Sequence, residues 1–227
     1  METKGMIGGI LAIIALVLIV VAMFTMPWYN VHTERTVQDQ TMETDMDYHI
    51  DHLEVSSSES DETDEIDYDD ESIPDDSEVV NTFETTEMMG FGGIAGALLA
   101  MIGAFAVAAA KLNQKIGAVL VVIGLVIAMA APLYLMMQLP GAFEADEENP
   151  DDKGPHQSFF GSKSEDGYEE SWGPTTGWYM ALVSGILLIV SLVLVALSSP
   201  VTMDSEEETL AEEPYEEPAP EQEEENW

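Results

Sequence analysis

The stretch METDMDYHIDHLEV, residues 42–55, decides how the region between the first two apolar segments is interpreted. Acidic residues at odd-numbered positions, beginning with Glu43, alternate with apolar residues such as Met46 and Tyr48 at even-numbered positions. A period of two residues is typical of a β-strand with one face in solvent and the other face covered. The stretch therefore predicts a half-covered strand.

The rest of the chain has a different character. Its 227 residues are 46% hydrophobic yet carry a formal net charge of −38, so charge and hydrophobicity must be segregated. Four apolar segments contain no charged residue and no histidine: residues 6–26, 90–110, 116–137 and 178–199. Because about 20 helical residues cross a bilayer core of ~30 Å, these segments predict four transmembrane helices that form an all-α bundle.

The few basic residues indicate the orientation of the spans. Lys4 precedes the first span, and Lys111 and Lys115 flank the short connection between the second and third spans. Short cytoplasmic segments are enriched in Lys and Arg. We therefore expect residues 1–5 and the turn at 111–115 to lie in the cytoplasm.

The acidic residues lie almost entirely in two loops and a tail. Residues 27–89 hold 21 of the 44 acids, residues 138–177 hold ten, and residues 200–227 hold 12. The orientation makes both loops external and the tail cytoplasmic, and the Glu- and Pro-rich tail is expected to be disordered. Acid on both sides of the membrane has two explanations. One is adaptation to salt in an archaeal or bacterial envelope, and the other is a functional role of the charge.

The first loop is predicted to contain a small antiparallel sheet. Three segments of alternating character are expected as strands: residues 28–37, 42–55 and 78–85. The apolar phase changes between Ile50 and Leu53, which predicts a β-bulge near His52. The acidic insert at residues 56–77 has no strand pattern and is expected to be disordered.

Small residues recur at helical spacing along the last three spans. In lipid, small side chains let helix backbones approach closely, and van der Waals packing then holds the helices together. Contacts within the bundle, or between two copies of the chain, are expected at Gly92, Gly96, Ala100, Ala104, Ala108, Gly117, Gly124, Gly177, Ala181 and Gly185.

Aromatic residues lie near the expected external ends of the spans and in the second loop. An aromatic belt at the membrane surface accounts for such positions, and contact with a partner protein is the alternative. The residues concerned are Trp28, Tyr29, Phe160, Trp172, Trp178 and Tyr179.

This layout resembles the claudin-like tetraspan superfamily. The resemblance is carried by Trp28 directly after the first span, in MPWYN, and by Phe160-Gly161 and Gly177-Trp178 before the fourth. It implies four spans, cytoplasmic termini and a first external loop folded as a sheet. The Gly-Leu-Trp motif and the two cysteines of the claudin first loop are absent, so the resemblance supports the architecture and not a tight-junction function.

Catalysis and cofactor binding have no support in the sequence. The spans lack the ionisable residues that proton relays, ion-coupled carriers and intramembrane proteases use. No phosphate-binding, nucleophile or metalloprotease motif occurs, and the absence of Cys excludes thiolate sites. The expectation is a protein that is not an enzyme, with no catalytic residue and no cofactor. Nucleic acid is excluded as a partner because the acidic chain repels phosphate.

Two histidines among the acids raise the question of a metal site. On one continuous strand, His49 and His52 point to opposite faces, so no metal site is expected. The acidic run at residues 61–71 lacks the glycine of an EF-hand loop, and only weak, diffuse binding of divalent cations is expected there.

Together these observations predict a non-catalytic, multi-pass protein of the cell membrane. It is expected to act as a scaffold, accessory subunit or envelope-interaction protein, through the external sheet and the aromatic residues of the second loop. The expected partners are the lipid bilayer and either a membrane or envelope protein or a second copy of the chain. The alternative is a cation-attracting pore or channel subunit, with the acidic loops concentrating cations at its mouth.

Overall fold

A computed structural model describes the chain at residues 3–38, 40–74, 76–147 and 154–198. It contains four apolar helical segments long enough to cross a membrane, and a six-stranded antiparallel sheet is inserted after the first. The predicted fold class, a helical membrane bundle with an antiparallel sheet, is confirmed. The tail at residues 200–227, predicted to be disordered, lies outside the described residues.

The helices are α1 (Thr3–Thr25), α2 (Glu78–Ala108), α3 (Gln114–Ala128), α4 (Ala130–Asp146) and α5 (Thr176–Ala196). The strands are β1 (Tyr29–Val37), β2 (Gln40–Tyr48), β3 (His52–Ser57), β4 (Ser60–Asp67), β5 (Gly161–Glu165) and β6 (Tyr168–Pro174). The third span consists of α3 and α4 in succession, with an interruption at Met129. Pro132 follows closely, and its ring nitrogen has no N–H to continue the helical hydrogen bonds.

The outward surface of the helices is apolar. Large side chains such as Val126 of α3 and Ile186 of α5 are exposed by 65% and 58% of their surface. A soluble monomer rarely exposes apolar area on this scale. Membrane spans place such side chains in lipid, so the chain is a multi-pass membrane protein.

Helices α2 and α4 extend beyond their predicted spans on the side of the bundle that carries the sheet. The Asp146 carboxylate accepts hydrogen bonds from the N–H groups of Glu78 and Val79, at 2.8 and 3.0 Å. It also accepts one from the Ser77 hydroxyl, at 2.8 Å. The last residue of α4 thus satisfies N–H groups that have no partner within the first turn of α2.

The prediction of a strand at residues 78–85 is wrong, because α2 begins there. Val79, Phe83 and Thr86 recur at helical spacing and are buried. Ser77 caps the helix, and its side chain accepts a hydrogen bond from the N–H of the third helical residue. Residues that were expected to alternate across a strand therefore contribute to a buried helical stripe.

The predicted single strand at residues 42–55 is a hairpin of two strands. The N–H of His49 donates to the carbonyl of His52 at 2.9 Å, and Tyr48 pairs with Leu53. Across this two-residue turn, one face carries even-numbered residues on β2 and odd-numbered residues on β3. The turn, and not a bulge, accounts for the change in apolar phase.

The sheet draws strands from both loops, in the order β4-β3-β2-β1-β6-β5. The insert at residues 56–77, predicted to be disordered, contains β4, which pairs with β3 at the sheet edge. The second loop, for which no secondary structure was predicted, supplies β5 and β6, and β6 pairs with β1. The acid-rich sequence of β4 is typical of an edge strand, since charge discourages pairing with another sheet.

The sheet is fastened to the extended helix ends by aromatic rings. The Tyr48 ring of β2 stacks on Phe83 of α2, with centroids 5.4 Å apart, and meets Phe143 of α4 edge-on at 5.9 Å. Tyr29 of β1 lies 5.8 Å from Phe143. Tyr29 and Phe83 are fully buried. A hydrophobic core therefore lies between the sheet and the bundle.

Within the bundle, many helix contacts occur at small residues. A Cβ atom on Gly96 would lie 2.6 Å from the carbonyl oxygen of Gly124, so α2 and α3 touch through their backbones. Gly117 faces Val107 and Gly185 faces Met129 just as closely. All four alanines predicted as helix contacts are buried: Ala100, Ala104, Ala108 and Ala181.

Two of the predicted small positions differ from this pattern. Gly92 is partly exposed, and a Cβ there would lie 3.7 Å from Ile127, an ordinary contact. Gly177 packs on the segment after α1 and not on another helix, since its Cβ would lie 2.7 Å from the carbonyl oxygen of Pro27.

The end of the bundle opposite the sheet holds the start of α1 and the connection between α2 and α3. The Lys4 ammonium donates to the carbonyl of Leu197 at 3.0 Å, and the Gln114 side-chain amide donates to the carbonyl of Ala196. Both carbonyls belong to the last turn of α5, whose final carbonyl groups have no partner within the helix.

Candidate functional site

The two faces of the sheet differ in chemistry. One face packs on the helices through buried residues such as Tyr29, Val31 and Trp172. We call the opposite face the outer face. The strand registers place on it Asn30, His32, Glu34, Glu43, Asp45, Asp47, His52, Glu54, Ser56, Glu65, Asp67, Glu169 and Ser171, with His49 at the β2–β3 turn.

Polar pairs connect neighbouring strands on the outer face. His32 Nδ1 of β1 lies 2.8 Å from Asp45 Oδ1 of β2. The Asn30 side-chain amide of β1 donates to Asp47 of β2 at 3.0 Å. Such cross-strand contacts stabilise the sheet and fix the direction of the carboxylates.

A cluster of polar groups lies at the turn between β2 and β3. The imidazole rings of His49 and His52 stack, with centroids 4.3 Å apart and planes 13° apart. Their Nε2 atoms lie 3.7 and 3.6 Å from the same carboxylate oxygen of Glu54. The second nitrogen of His52, Nδ1, lies 2.8 Å from Asp51.

The prediction that His49 and His52 point to opposite faces is wrong. It assumed a continuous strand, but the chain reverses at Ile50 and Asp51, and residues that oppose each other across a hairpin share a face. The change of apolar phase at this point was the sequence signal for the reversal. Read as a turn, it would have brought the two histidines together.

Burial also affects protonation at this turn. It lowers the pKa of the His49 imidazole, an effect strengthened by neighbouring His52 and opposed by Glu54, Asp47 and Asp51. Because the usual pKa is about 6.5, a lowered value leaves the ring neutral at pH 7, with one nitrogen free to accept.

A second polar cluster lies at β5 and β6. Burial raises the pKa of the Glu170 carboxyl, the nearby Glu147 adds to the increase, and Tyr168 and Lys163 oppose it. His156 Nδ1 lies 2.8 Å from the Glu147 carboxylate. Burial likewise raises the pKa of Tyr168 to about 12. Lys163 and Glu170 also line a surface pocket, together with His32 and Glu34 of β1.

Four of the six aromatic residues predicted as belt or partner contacts are buried: Trp28, Tyr29, Trp172 and Trp178. They are therefore not available as a contact surface, and that prediction is wrong for them. The Trp178 indole donates to the carbonyl of Pro132 at 2.9 Å, and the Trp172 indole donates to the carbonyl of Ser158 at 3.0 Å. These residues join the sheet and loop to the bundle.

The other two aromatic residues are exposed, Phe160 by 68% and Tyr179 by 54%. Phe160 directly precedes β5, and Tyr179 lies in the first turn of α5. Both lie near the junction between the sheet and the helices. At this place an aromatic side chain can lie in the membrane interface or contact another protein.

A comparison with protein-family models and with curated proteins gave no match.

Proposed function

We propose that the chain is a non-catalytic membrane protein of claudin-like tetraspan architecture that binds a partner protein through the outer face of its sheet. It acts there as a scaffold or accessory subunit. The observation that carries the proposal is the asymmetry of the sheet. One face is buried against the helices, whereas the opposite face presents carboxylates such as Glu43 and Glu169 to solvent.

The charge of the outer face indicates the chemistry of the partner. On this face β2 carries Glu43, Asp45 and Asp47, whereas β1 and β3 each carry one acid. No Lys or Arg of the described strands shares the face. Arg35 and Lys163 both belong to the helix-facing set by register. A surface that carries acids and no Lys or Arg favours a partner with Lys- or Arg-rich patches and accelerates its association by electrostatic attraction.

The rigidity of the sheet supports a binding role. Aromatic contacts fasten it to two helices, and the Asp146 bonds join those helices to each other. A surface held in this way loses little conformational entropy on binding, which favours affinity.

The orientation follows from the positions of the lysines. Lys4, Lys111 and Lys115 belong to the end of the bundle opposite the sheet. By the positive-inside rule this end faces the cytoplasm, and the sheet is external.

The alternative role as a cation pore has weaker support. Ser184 and Ser191 are the buried polar side chains in the described part of α5, and both donate to backbone carbonyls. A conduction path needs polar groups that face a water-filled lumen. A single-channel recording with cation-selective conductance would favour the pore over the scaffold.

Site-specific photo-crosslinking in native membranes tests the proposal. A photo-reactive amino acid replaces Glu43 on the outer face, and a matched variant carries it at the lipid-facing Val126, which is exposed by 65%. We expect a reproducible, stoichiometric partner protein at position 43 and lipid only at position 126. The same products at both positions would contradict binding through the outer face.

A further inference from the structure

The β2–β3 turn carries a feature that the partner-binding role does not use. We propose that His49, His52 and Glu54 bind a divalent transition-metal ion, with Zn²⁺ the best chemical match, and that Glu65 provides the fourth ligand. Metal binding here is independent of whether the outer face binds a partner.

The backbone brings the ligands together. His49 and His52 oppose each other across the two-residue turn, and the N–H of His49 donates to the carbonyl of His52 at 2.9 Å. Glu54 lies two residues further along β3 and therefore on the same face. Glu65 of β4 pairs directly with Glu54. One hairpin and its neighbouring strand supply all four side chains, so no loop movement is needed.

The donor atoms converge. The Nε2 atoms of both histidines lie within 3.7 Å of Glu54 Oε1, and the donor atoms of the three residues all lie within 4.8 Å of one another. Glu65 Oε1 lies 4.0 Å from His52 Nε2. Zn²⁺ in a tetrahedral site separates neighbouring ligand atoms by about 3.3 Å, since each bond is about 2.0–2.1 Å long. Metal binding requires the two stacked imidazole planes, now 13° apart, to turn toward each other, because the lone pair of each Nε2 lies in its own ring plane.

The nitrogen of His52 that would not bind the metal, Nδ1, has a carboxylate partner, as is usual for histidine ligands in metal sites. Asp51 Oδ1 lies 2.8 Å from His52 Nδ1 and accepts a hydrogen bond from the N–H at this nitrogen. Nε2 then directs its lone pair toward Glu54. In metalloproteins a carboxylate behind the ligating imidazole fixes the tautomer and increases the basicity of the ligand. Asp51 is thus assigned as a positioning residue.

The donor set selects the class of metal. Two imidazoles and carboxylate oxygens suit Zn²⁺ and its transition-metal neighbours, whereas Ca²⁺ and Mg²⁺ prefer sites made of oxygen alone. The surrounding acids Asp47 and Asp67 attract the cation to this part of the outer face. His52 is mostly buried, with 16% of its side chain exposed, which limits competition from water.

The test is zinc binding by the full-length protein, purified through a tag without histidine and stripped with a chelator. Zn²⁺ is titrated by calorimetry at high ionic strength with excess Mg²⁺, which suppresses diffuse binding to the acidic surface. We expect one zinc per chain. His49→Ala and His52→Ala should each weaken binding by about 100-fold or more, and Asp51→Asn by about tenfold.

The matched control is His32→Ala, because His32 also lies on the outer face beside an acid, Asp45, but outside the cluster. It should bind zinc as the unchanged protein does. Equal loss in this control, or equal competition by Mg²⁺, would overturn the proposal.

Two further measurements protect the test against variants that fold poorly. Glu54→Gln keeps the shape of the side chain and should still weaken zinc binding at least tenfold, with an unchanged circular dichroism spectrum. Co²⁺ added to the unchanged protein should produce the intense visible bands of tetrahedral coordination. Absence of stoichiometric zinc, or a Co²⁺ spectrum of the hydrated ion, would overturn the site without any substitution.

Discussion

Asp146, the last residue of α4, accepts a hydrogen bond at 2.8 Å from the hydroxyl of Ser77, the residue that caps α2. Two spans distant in sequence are thereby joined just outside the apolar region, where the sheet also rests. Carboxylates at a helix N-terminus are favoured both by the free N–H groups and by the helix dipole. This contact therefore sets the relative height of two helices that support the sheet.

Replacing Asp146 by Ala should destabilise the protein by about 1–2 kcal/mol, the usual cost of losing a helix cap. The N–H groups of Glu78 and Val79 would lose their carboxylate partner. Unfolding in detergent, followed by tryptophan fluorescence, measures the change. Glu144→Ala, an exposed acid two residues earlier in α4, is the control and should leave the midpoint unchanged.

The contact between α2 and α3 makes a second prediction. Gly96→Leu should destabilise the bundle by about 2 kcal/mol or more, because a Cβ there would meet the Gly124 carbonyl oxygen at 2.6 Å. Gly92→Leu is the same substitution one turn away, where the nearest atom, on Ile127, lies at 3.7 Å. Thermal unfolding of both variants in the same detergent should separate them. Equal midpoints would contradict the close backbone contact.

The spans could be predicted from sequence because they depend on length and hydropathy alone. The sheet was only partly predictable. Strand β4 has few apolar residues, and its pairing with β3 depends on backbone hydrogen bonds that leave no hydrophobic pattern. The apparent alternation at residues 78–85 predicted a strand, whereas the cap at Ser77 and the burial of Val79 and Phe83, four residues apart, belong to a helix.

The same limit applies to the candidate site. The outer face could be predicted from the alternation of acids along β2. The pairing of His49 with His52 could not, because it depends on whether two residues, Ile50 and Asp51, continue a strand or reverse it. A turn without Gly, Asn or Pro gives a weak sequence signal.

Glu170 makes stability depend on pH. Its folded pKa is raised, mainly by burial, so the folded state keeps its proton at a pH where the unfolded chain has released it. Stability should therefore fall as pH rises through the interval that begins at the unfolded value, near 4.5, and ends at the folded pKa. Above that interval the protein has lost all of the stability that depends on the protonated Glu170 carboxyl.

Glu170→Gln removes this titration. The variant should be more stable than the unchanged protein at pH 7, and the difference should shrink toward zero near pH 4. Thermal unfolding across this range measures it. Glu169→Gln alters the neighbouring residue of β6, which is exposed on the outer face, and should show no such trend. A difference between Glu170→Gln and the unchanged protein that is constant with pH would contradict the assignment.

The aromatic contact between sheet and bundle makes the last prediction. Phe83 is fully buried and touches both Tyr48 of β2 and Tyr68, which follows β4, with ring centroids 5.4 and 5.9 Å away. Phe83→Ala should cost about 3–4 kcal/mol and act mainly on the sheet, because the apolar spans remain in lipid. Limited proteolysis should then cleave the first loop faster. Phe91→Ala, at a half-exposed position on the same helix, should leave the cleavage rate unchanged, and equal cleavage of the two variants would show that the sheet is held by other contacts.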